Sequence, residues 1–458
     1  MHVILALLFL AICGASIVYA LLRPGPVAIF MATVSLFSVG HYGLPMLLVE
    51  RSELRYLPDK EISSVIAMAL MYFVAIIIGA SLLLRRESSI NGIKFPILDR
   101  ILEDHWWKGA LVSSSVTIAY YSIHTFTWYQ VENVEVFIET RSPFEGLLGF
   151  FVTFAQAAMS LYGAIAFKNR WWRRFYFILG AVAIELFLLR DAGQRLVFIT
   201  PILVIFAVLV AQREFKTAGM ALLAGVGALV IISPFAVALR SGSWNNQQDV
   251  IAESFSYGDD PVDTMLQSIV DRGDILVNMT YLKAHVDSQG YVGPMYYYSI
   301  FVIPIPRFLY KDKPSILSDN GRKDGEASVL AWRLKLNNNM GSLTAFGSIV
   351  AYREGGWVWM IINGLLSGAL FAWVFTACSR GGFIAQTCFG VAFVAWSISK
   401  VPTSLFESMV TVMTYLPVIL ALFIIERVLQ GERFGLQRGS DPALADAPVP
   451  ADAQVQAG

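Results

Sequence analysis

The sequence is short of charge. Asp, Glu, Lys and Arg make up only 15% of its 458 residues, whereas about 25% is usual in a soluble protein. Hydrophobic residues make up 56%, and they occur in repeated runs long enough to span the hydrocarbon core of a bilayer. The net charge is zero, so no excess of positive charge points to nucleic acid. We therefore predict an all-α, polytopic integral membrane protein that lies in a lipid bilayer.

Cysteines are few, and nucleotide-binding motifs are absent from the sequence. Cys13, Cys378 and Cys388 lie in or beside apolar runs, so the sequence indicates neither a disulfide framework nor a cysteine-ligated metal site. There is no Walker A motif and no dinucleotide-binding fingerprint after a strand. These absences argue against ATP-driven transport by this chain alone, and we expect neither a cofactor nor a metal.

Eleven apolar segments predict transmembrane helices, because lipid cannot satisfy an unpaired backbone. The first segment has no basic residue before it, so it is interpreted as a span and not as a signal peptide. The predicted spans are Val3–Leu22, Val27–Val49, Ile62–Leu84, Gly109–Trp128, Leu147–Phe167, Phe175–Leu189, Leu196–Val210, Ala218–Leu239, Trp357–Ala377, Phe383–Ile398 and Met409–Ile425.

Lysine and arginine predict the orientation of these spans. One set of short loops, together with the C-terminal tail, carries more than twice as many of these residues as the opposite set, and the richer side is expected to be cytoplasmic. The N-terminus is then outside and the C-terminus inside. The predicted parts are an N-terminal transmembrane bundle (1–239), a large outer loop with amphipathic helices (240–356), a C-terminal transmembrane part (357–429) and a disordered tail (430–458).

The outer loop is too long to be a simple connector. Its segment "PVDTMLQSIVDRGDILVNMTYL" has helical spacing of apolar residues, which favours either a helix that roofs a cavity or a helix packed on the bundle. Further along, "YVGPMYYYSIF" contains Tyr291, Tyr296 and Tyr297. Such side chains favour the water–lipid boundary, and their faces also suit stacking on sugar rings.

Cations in two segments suggest phosphate binding. Prolines stiffen "PIPRFLYKDKP" around Arg307 and Lys313, so these charges are held in place. In "LLRDAGQRLVF", Arg190 and Arg195 join two short predicted spans, where an unpaired charge is costly. A fixed guanidinium matches a phosphate with two hydrogen bonds. Contacts with lipid headgroups and internal ion pairs are the alternatives.

Ionisable residues inside the predicted spans are few: His41, His124 and Glu185. This scarcity argues against a proton-coupled transporter, which needs relay carboxylates. The acidic cluster in "YGDDPVD" suits either a divalent metal or a solvated turn; it consists of Asp259, Asp260 and Asp263.

Three segments together resemble one enzyme family. They are the "GQRL" turn, the loop "YVGPMYYYSIFVIPIPRFLYKDKP", and "MGSLTAFGSIVAYREGGWVWMIINGLLSGALFAWV". Between Leu188 and Val374 the chain resembles the Wzy-type O-antigen polymerases, which join oligosaccharide repeat units in bacteria. The most specific elements are Pro306-Arg307 and Lys313-Pro314.

The resemblance implies a GT-C-like glycosyltransferase in the bacterial inner membrane, with a periplasmic catalytic loop and a cytoplasmic C-terminus. Donor and acceptor would both be oligosaccharides linked to undecaprenyl diphosphate, used in lipopolysaccharide biosynthesis. A polysaccharide chain-length regulator is an expected partner.

This chemistry assigns roles to the candidate residues. Breaking the anomeric bond leaves negative charge on the diphosphate, which fixed cations stabilise. The diphosphate-binding candidates are Arg195 and Arg307, followed by Arg190, Arg240, Arg272 and Lys313. The candidate bases for the acceptor hydroxyl are Glu354, which the resemblance suggests, His285 and Asp259. The candidate sugar-binding residues are Tyr291, Tyr296 and Tyr297.

Other functions remain open at this point. An O-antigen ligase would use the same donor with lipid A-core as acceptor. A transporter or flippase of the lipid-linked oligosaccharide would favour internal repeats and a small outer loop. A structural or sensory scaffold would leave the cationic segments without a purpose.

Overall fold

The computed structural model describes residues 2–47, 58–129, 169–189, 274–291, 347–387 and 419–431, with isolated residues between 152 and 167 and between 209 and 223, and residues 293, 405 and 409. These residues form helices and turns, with no β-strand among them. The all-α prediction is therefore confirmed for this part of the chain. The helices are α1 (His2–Leu22), α2 (Pro26–Ser38), α3 (Leu44–Leu47), α4 (Asp59–Ser81), α5 (Pro96–Asp104), α6 (Trp106–Tyr129), α7 (Trp172–Leu189), α8 (Asp274–Gln289) and α9 (Gly347–Ser379).

Three of these helices, α1, α4 and α9, are long and apolar enough to cross a membrane. They coincide with the predicted spans Val3–Leu22, Ile62–Leu84 and Trp357–Ala377, although α9 begins ten residues earlier than predicted. At 1.5 Å per residue, the 21 residues of α1 reach about 31 Å, the thickness of a bilayer core. The membrane-helix prediction holds for these three, while the total of eleven spans and the GT-C-like arrangement stay predictions.

Helices α4 and α9 form the central pair of the described core. The side of α9 that faces α4 carries small residues, and a Cβ on Gly368 would overlap the backbone carbonyl of Ile76. Small residues let two helix backbones approach closely, which is how helices associate where no water drives them together. A hydrogen bond also links α4 to α9: the Tyr72 hydroxyl donates to Asn363 Oδ1 at 3.1 Å.

The ends of the three long helices define two faces of the molecule. His2 at the start of α1 lies 3.7 Å from Asp59 at the start of α4. Beyond the other end of α4, Glu87 lies 3.6 Å from Arg380, directly after α9. Helices α1, α4 and α9 therefore run in the same direction. We call the side where they begin the start face and the side where they end the end face.

Helix α8 packs at the start face against α4 and α9. Its apolar side chains are buried in the main core, at spacings of three and four residues: Leu276, Met279, Leu282 and Val286. Helix α8 covers the second half of the amphipathic segment predicted in the outer loop. The first half of that segment, whose apolar residues suggest a helix that roofs a cavity or packs on the bundle, lies outside the described residues, so both readings stay predictions.

The end face carries a second group of elements, α5, α6 and α7. The N-terminus of α5 is capped by Glu426, whose carboxylate oxygens accept the N–H groups of Ile97 at 3.0 Å and Leu98 at 2.9 Å. Asp99 in α5 in turn accepts the N–H of Ile384 at 2.9 Å. Such carboxylate caps satisfy backbone donors that a helix leaves unpaired, and they tie this group to the segment after α9.

Candidate functional site

A kink in α9 shapes the start face. Gly355 and Gly356 leave helical geometry, and Gly356 has a φ of +71°, a conformation that favours glycine. A Cβ at Gly356 would lie 2.8 Å from the hydroxyl oxygen of Tyr291. The absence of a side chain therefore lets Tyr291, which follows α8, close over the kink.

Three aromatic rings meet at this kink. The Tyr291 and Tyr352 rings are 5.8 Å apart with an interplanar angle of 85°, and the Tyr352 and Trp357 rings are 5.5 Å apart at 74°. These edge-to-face arrangements are the favourable geometry for aromatic pairs. Tyr352 is only 3% exposed, whereas Tyr291 is 57% exposed. Tyr291 thus presents an aromatic surface to the surroundings, held by a buried tyrosine behind it.

A charged pair from α8 completes the arrangement. The Tyr352 hydroxyl donates to Asp287 Oδ1 at 2.6 Å, and the Lys283 ammonium donates to Asp287 Oδ2 at 2.5 Å. The same ammonium lies 5.4 Å from the centre of the Tyr352 ring. We call these five residues the start-face cluster: Lys283, Asp287, Tyr291, Tyr352 and Trp357.

The hydrogen bonds determine the ionisation of Asp287. Partial burial pushes the pKa of this carboxyl upward, but the bonds from Lys283 and Tyr352 outweigh it, so the pKa is lowered from its usual value. Asp287 is therefore ionised at neutral pH. Its carboxylate accepts hydrogen bonds, and the neighbouring ammonium donates them.

Glu354 lies on the same segment of α9, just before the kink. Its side chain is buried, with 5% exposure, and Oε2 accepts the indole N–H of Trp359 at 2.6 Å. This bond joins the residues on the two sides of the Gly355–Gly356 break. The predicted base is thus a buried carboxylate, held by an indole that reaches back across the kink.

The other predicted residues divide into two groups. His285 is half-buried on α8, and among the described residues no hydrogen bond joins its imidazole to Asp287 or Glu354. The remaining candidates lie outside the described residues: Arg190, Arg195, Arg240, Asp259, Arg272, Tyr296, Tyr297, Arg307 and Lys313. Of the predicted site residues, the structure therefore brings Tyr291 and Glu354 to the same kink.

Reasoning from the sequence missed the rest of the start-face cluster. Lys283 and Asp287 are four residues apart, a spacing that supports an ion pair on a helix and that could have been noticed. No local signal connects Asp287 with Tyr352, which lies 65 residues further along the chain.

These contacts set what the start face can do chemically. It presents the exposed ring of Tyr291 beside the carboxylate of Asp287 and the ammonium of Lys283. The buried carboxylate of Glu354 belongs to the adjoining kink in α9. The chain itself has no match among protein-family models, curated proteins or solved structures.

Proposed function

We propose that the chain is a membrane glycosyltransferase that polymerises oligosaccharide repeat units linked to undecaprenyl diphosphate, as the resemblance to the Wzy-type polymerases implies. The observation that supports this proposal is the start-face cluster. The cluster lies opposite the cationic loops of the end face, such as the one that contains Arg85 and Arg86. Because cationic loops favour the cytoplasm, the start face is the proposed periplasmic side.

The cluster suits a sugar ring. A pyranose has an apolar C–H face and a rim of hydroxyl groups, so it needs an aromatic surface flanked by polar groups. In the proposal, the exposed ring of Tyr291 stacks on the apolar face. Asp287 accepts hydrogen bonds from sugar hydroxyls, and Lys283 donates to them. Because Tyr352 holds both Asp287 and Tyr291, the sugar-binding groups are preorganised.

The proposed reaction transfers the growing glycan between two lipid carriers. The acceptor hydroxyl oxygen attacks the anomeric carbon of the donor, a new C–O bond forms, and the bond from that carbon to the diphosphate breaks. The hydroxyl proton passes to a base, and undecaprenyl diphosphate leaves with the bonding electrons. Arg195 and Arg307 are the proposed groups that stabilise its charge, because a guanidinium binds phosphate in a fixed, two-pronged geometry.

Glu354 is the proposed base. Glu354→Gln tests this role cleanly, because the glutamine carbonyl can still accept the Trp359 indole N–H while the amide cannot take a proton. We expect kcat to fall by roughly 100-fold or more, with KM little changed. Trp359→Phe is the companion variant: it removes the indole donor and leaves the carboxylate. An E354Q enzyme with full kcat would assign the base to another residue.

Polymerisation by the purified protein in proteoliposomes tests the function as a whole. Lipid-linked repeat units are supplied as both donor and acceptor, and the products are separated by length. The proposal expects a ladder of longer glycans that forms equally well in the presence of a chelator. Transfer to lipid A-core without elongation would indicate a ligase, movement of the lipid without a covalent product would indicate a transporter, and a loss of elongation on chelation would indicate a metal mechanism.

The sugar-binding role of the cluster has its own test. Tyr291→Ala should raise KM about tenfold, corresponding to about 1.4 kcal/mol of lost binding, whereas Tyr291→Phe should stay close to wild type. Tyr176→Ala is the matched control, because Tyr176 is equally exposed but lies on α7. If Y291A and Y176A were indistinguishable in KM, Tyr291 would not contact the sugar.

A further inference from the structure

A cavity on the end face has no part in the proposed transfer reaction. Its volume is about 250 Å³, and it lies between α5, the start of α6, α7 and the segment before α7. Its apolar wall includes Tyr162, Ile178 and Phe383, and its polar side carries Asp99, Glu103 and Arg174. One cavity thus offers two carboxylates and one guanidinium around an apolar wall.

Arg174 contacts two indole rings. The central carbon of its guanidinium lies 4.5 Å from the ring centre of Trp106 and 4.2 Å from that of Trp171. Cation–π contacts of this kind restrict the orientation of the group. Contact with an aromatic ring does not use the N–H donors of a guanidinium, and those donors are the groups that bind phosphate. No carboxylate among the described residues forms an ion pair with Arg174.

The two carboxylates differ in availability. Asp99 Oδ1 accepts the N–H of Ile384, so this group is partly used in capping. Glu103 is exposed on the last turn of α5 and has no hydrogen bond or ion pair within the described part of the chain. Glu103 is therefore the better acceptor for a cation that enters the cavity.

The surroundings of the cavity indicate a lipid surface. Large aromatic residues around it are exposed by 40–62%: Trp107, Phe167, Trp171, Trp172 and Tyr176. Trp and Tyr concentrate where a membrane protein crosses from lipid to water. A cavity at this level meets phospholipid headgroups on its polar side and acyl chains on its apolar side.

We propose that the cavity binds the headgroup of a bilayer phospholipid that carries both a phosphate and a primary ammonium. Arg174 donates to the phosphate, and Glu103 accepts from the ammonium, assisted by Asp99. A cavity of about 250 Å³ is large enough to admit an aminoethyl phosphate group. Phosphatidylcholine should bind less well, because its quaternary ammonium has no N–H to donate. Phosphatidylglycerol should also bind less well, because its headgroup carries no positive charge for the carboxylates.

Native mass spectrometry of the full chain, released from nanodiscs of defined lipid composition, tests this proposal. From an equimolar mixture of phosphatidylethanolamine, phosphatidylcholine and phosphatidylglycerol, the protein should retain one phosphatidylethanolamine in preference to the others. Arg174→Gln and Glu103→Gln should each lower that retention about tenfold. Glu103→Gln is the safer variant for folding, since this side chain is exposed and contributes no described contact.

Arg173→Gln is the matched control, because Arg173 is an exposed neighbour that does not line the cavity. It should retain the lipid as wild type does. Soluble aminoethyl phosphate at high concentration should displace the lipid, and inorganic phosphate should do so less well. Equal retention of the three lipids, or unchanged retention in both R174Q and E103Q, overturns the proposal. None of these measurements depends on glycosyl transfer, so the two proposals can fail separately.

Discussion

At the scale of single residues, the start-face cluster depends on one ionised carboxylate. Asp287 receives hydrogen bonds from Lys283 and Tyr352, so α8 is joined to α9 through a charged group. Gly356 supplies the space that lets Tyr291 approach the kink. Each of these features makes a measurable prediction for a single substitution.

Asp287 predicts a specific pH dependence of stability. Because its pKa is lowered in the folded state, its stabilisation is fully present above the ordinary aspartate pKa of about 3.9 and is lost as the pH falls through the lowered value. Asp287→Asn should therefore cost about 1 kcal/mol at pH 7, a modest amount because the side chain is partly exposed. Thermal unfolding in detergent measures this cost. The difference from wild type should shrink on acidification, and a difference independent of pH would contradict the assignment.

Gly356→Ala should destabilise the protein by roughly 1–3 kcal/mol, because a Cβ is strained at positive φ and would also meet the Tyr291 hydroxyl. The double variant with Tyr291→Phe removes that hydroxyl. It should recover part of the loss, the part due to the steric contact. Chemical or thermal unfolding of G356A, of Y291F and of the double variant gives the coupling free energy between the two positions. Full additivity of the two substitutions would mean that the contact does not exist.

At the scale of elements, the association of α4 with α9 rests on close approach of their backbones. Gly368→Ala places a methyl group against the carbonyl of Ile76 and should cost roughly 1–3 kcal/mol. Gly14→Ala in α1 is the matched control, because a Cβ there meets nothing within 4 Å. In a helix interior this control should be neutral or stabilising by up to about 1 kcal/mol. Equal Tm shifts for the two variants would show that packing at Gly368 is not tight.

The elements also show how far local patterns reach. The apolar runs predicted α1 and α4 within a few residues, because helix formation in lipid depends on the segment alone. The apolar pattern predicts a start at Trp357, where the run becomes continuously apolar, whereas helix α9 begins at Gly347. The earlier turns contain Arg353 and Glu354 and are stabilised by contacts with α8 and across the kink, which hydropathy does not detect.

At the scale of the whole molecule, the two faces predict opposite accessibility. Ser288 after the charged pair of α8 and Ser89 after α4 are both exposed serines, one on each face. If the start face is periplasmic, as proposed, Ser288→Cys in a background without native cysteines should react with a membrane-impermeant thiol reagent in intact cells. Ser89→Cys should react only after permeabilisation. Labelling of both from the same side would contradict the placement of the two faces on opposite sides of the membrane, and the reversed pattern would contradict the proposed orientation.

The sequence by itself determined that the described part of the chain is helical and that α1, α4 and α9 are apolar enough to cross a bilayer, because the length and apolarity of a run decide both properties. It also made Tyr291 a candidate from its residue type, and the resemblance to the polymerase family made Glu354 one. Only the tertiary structure decided that Tyr291 closes over Gly356, that Asp287 binds Tyr352, and that Arg174 contacts both Trp106 and Trp171. Those contacts join residues far apart in the chain, and they form only when the helices pack.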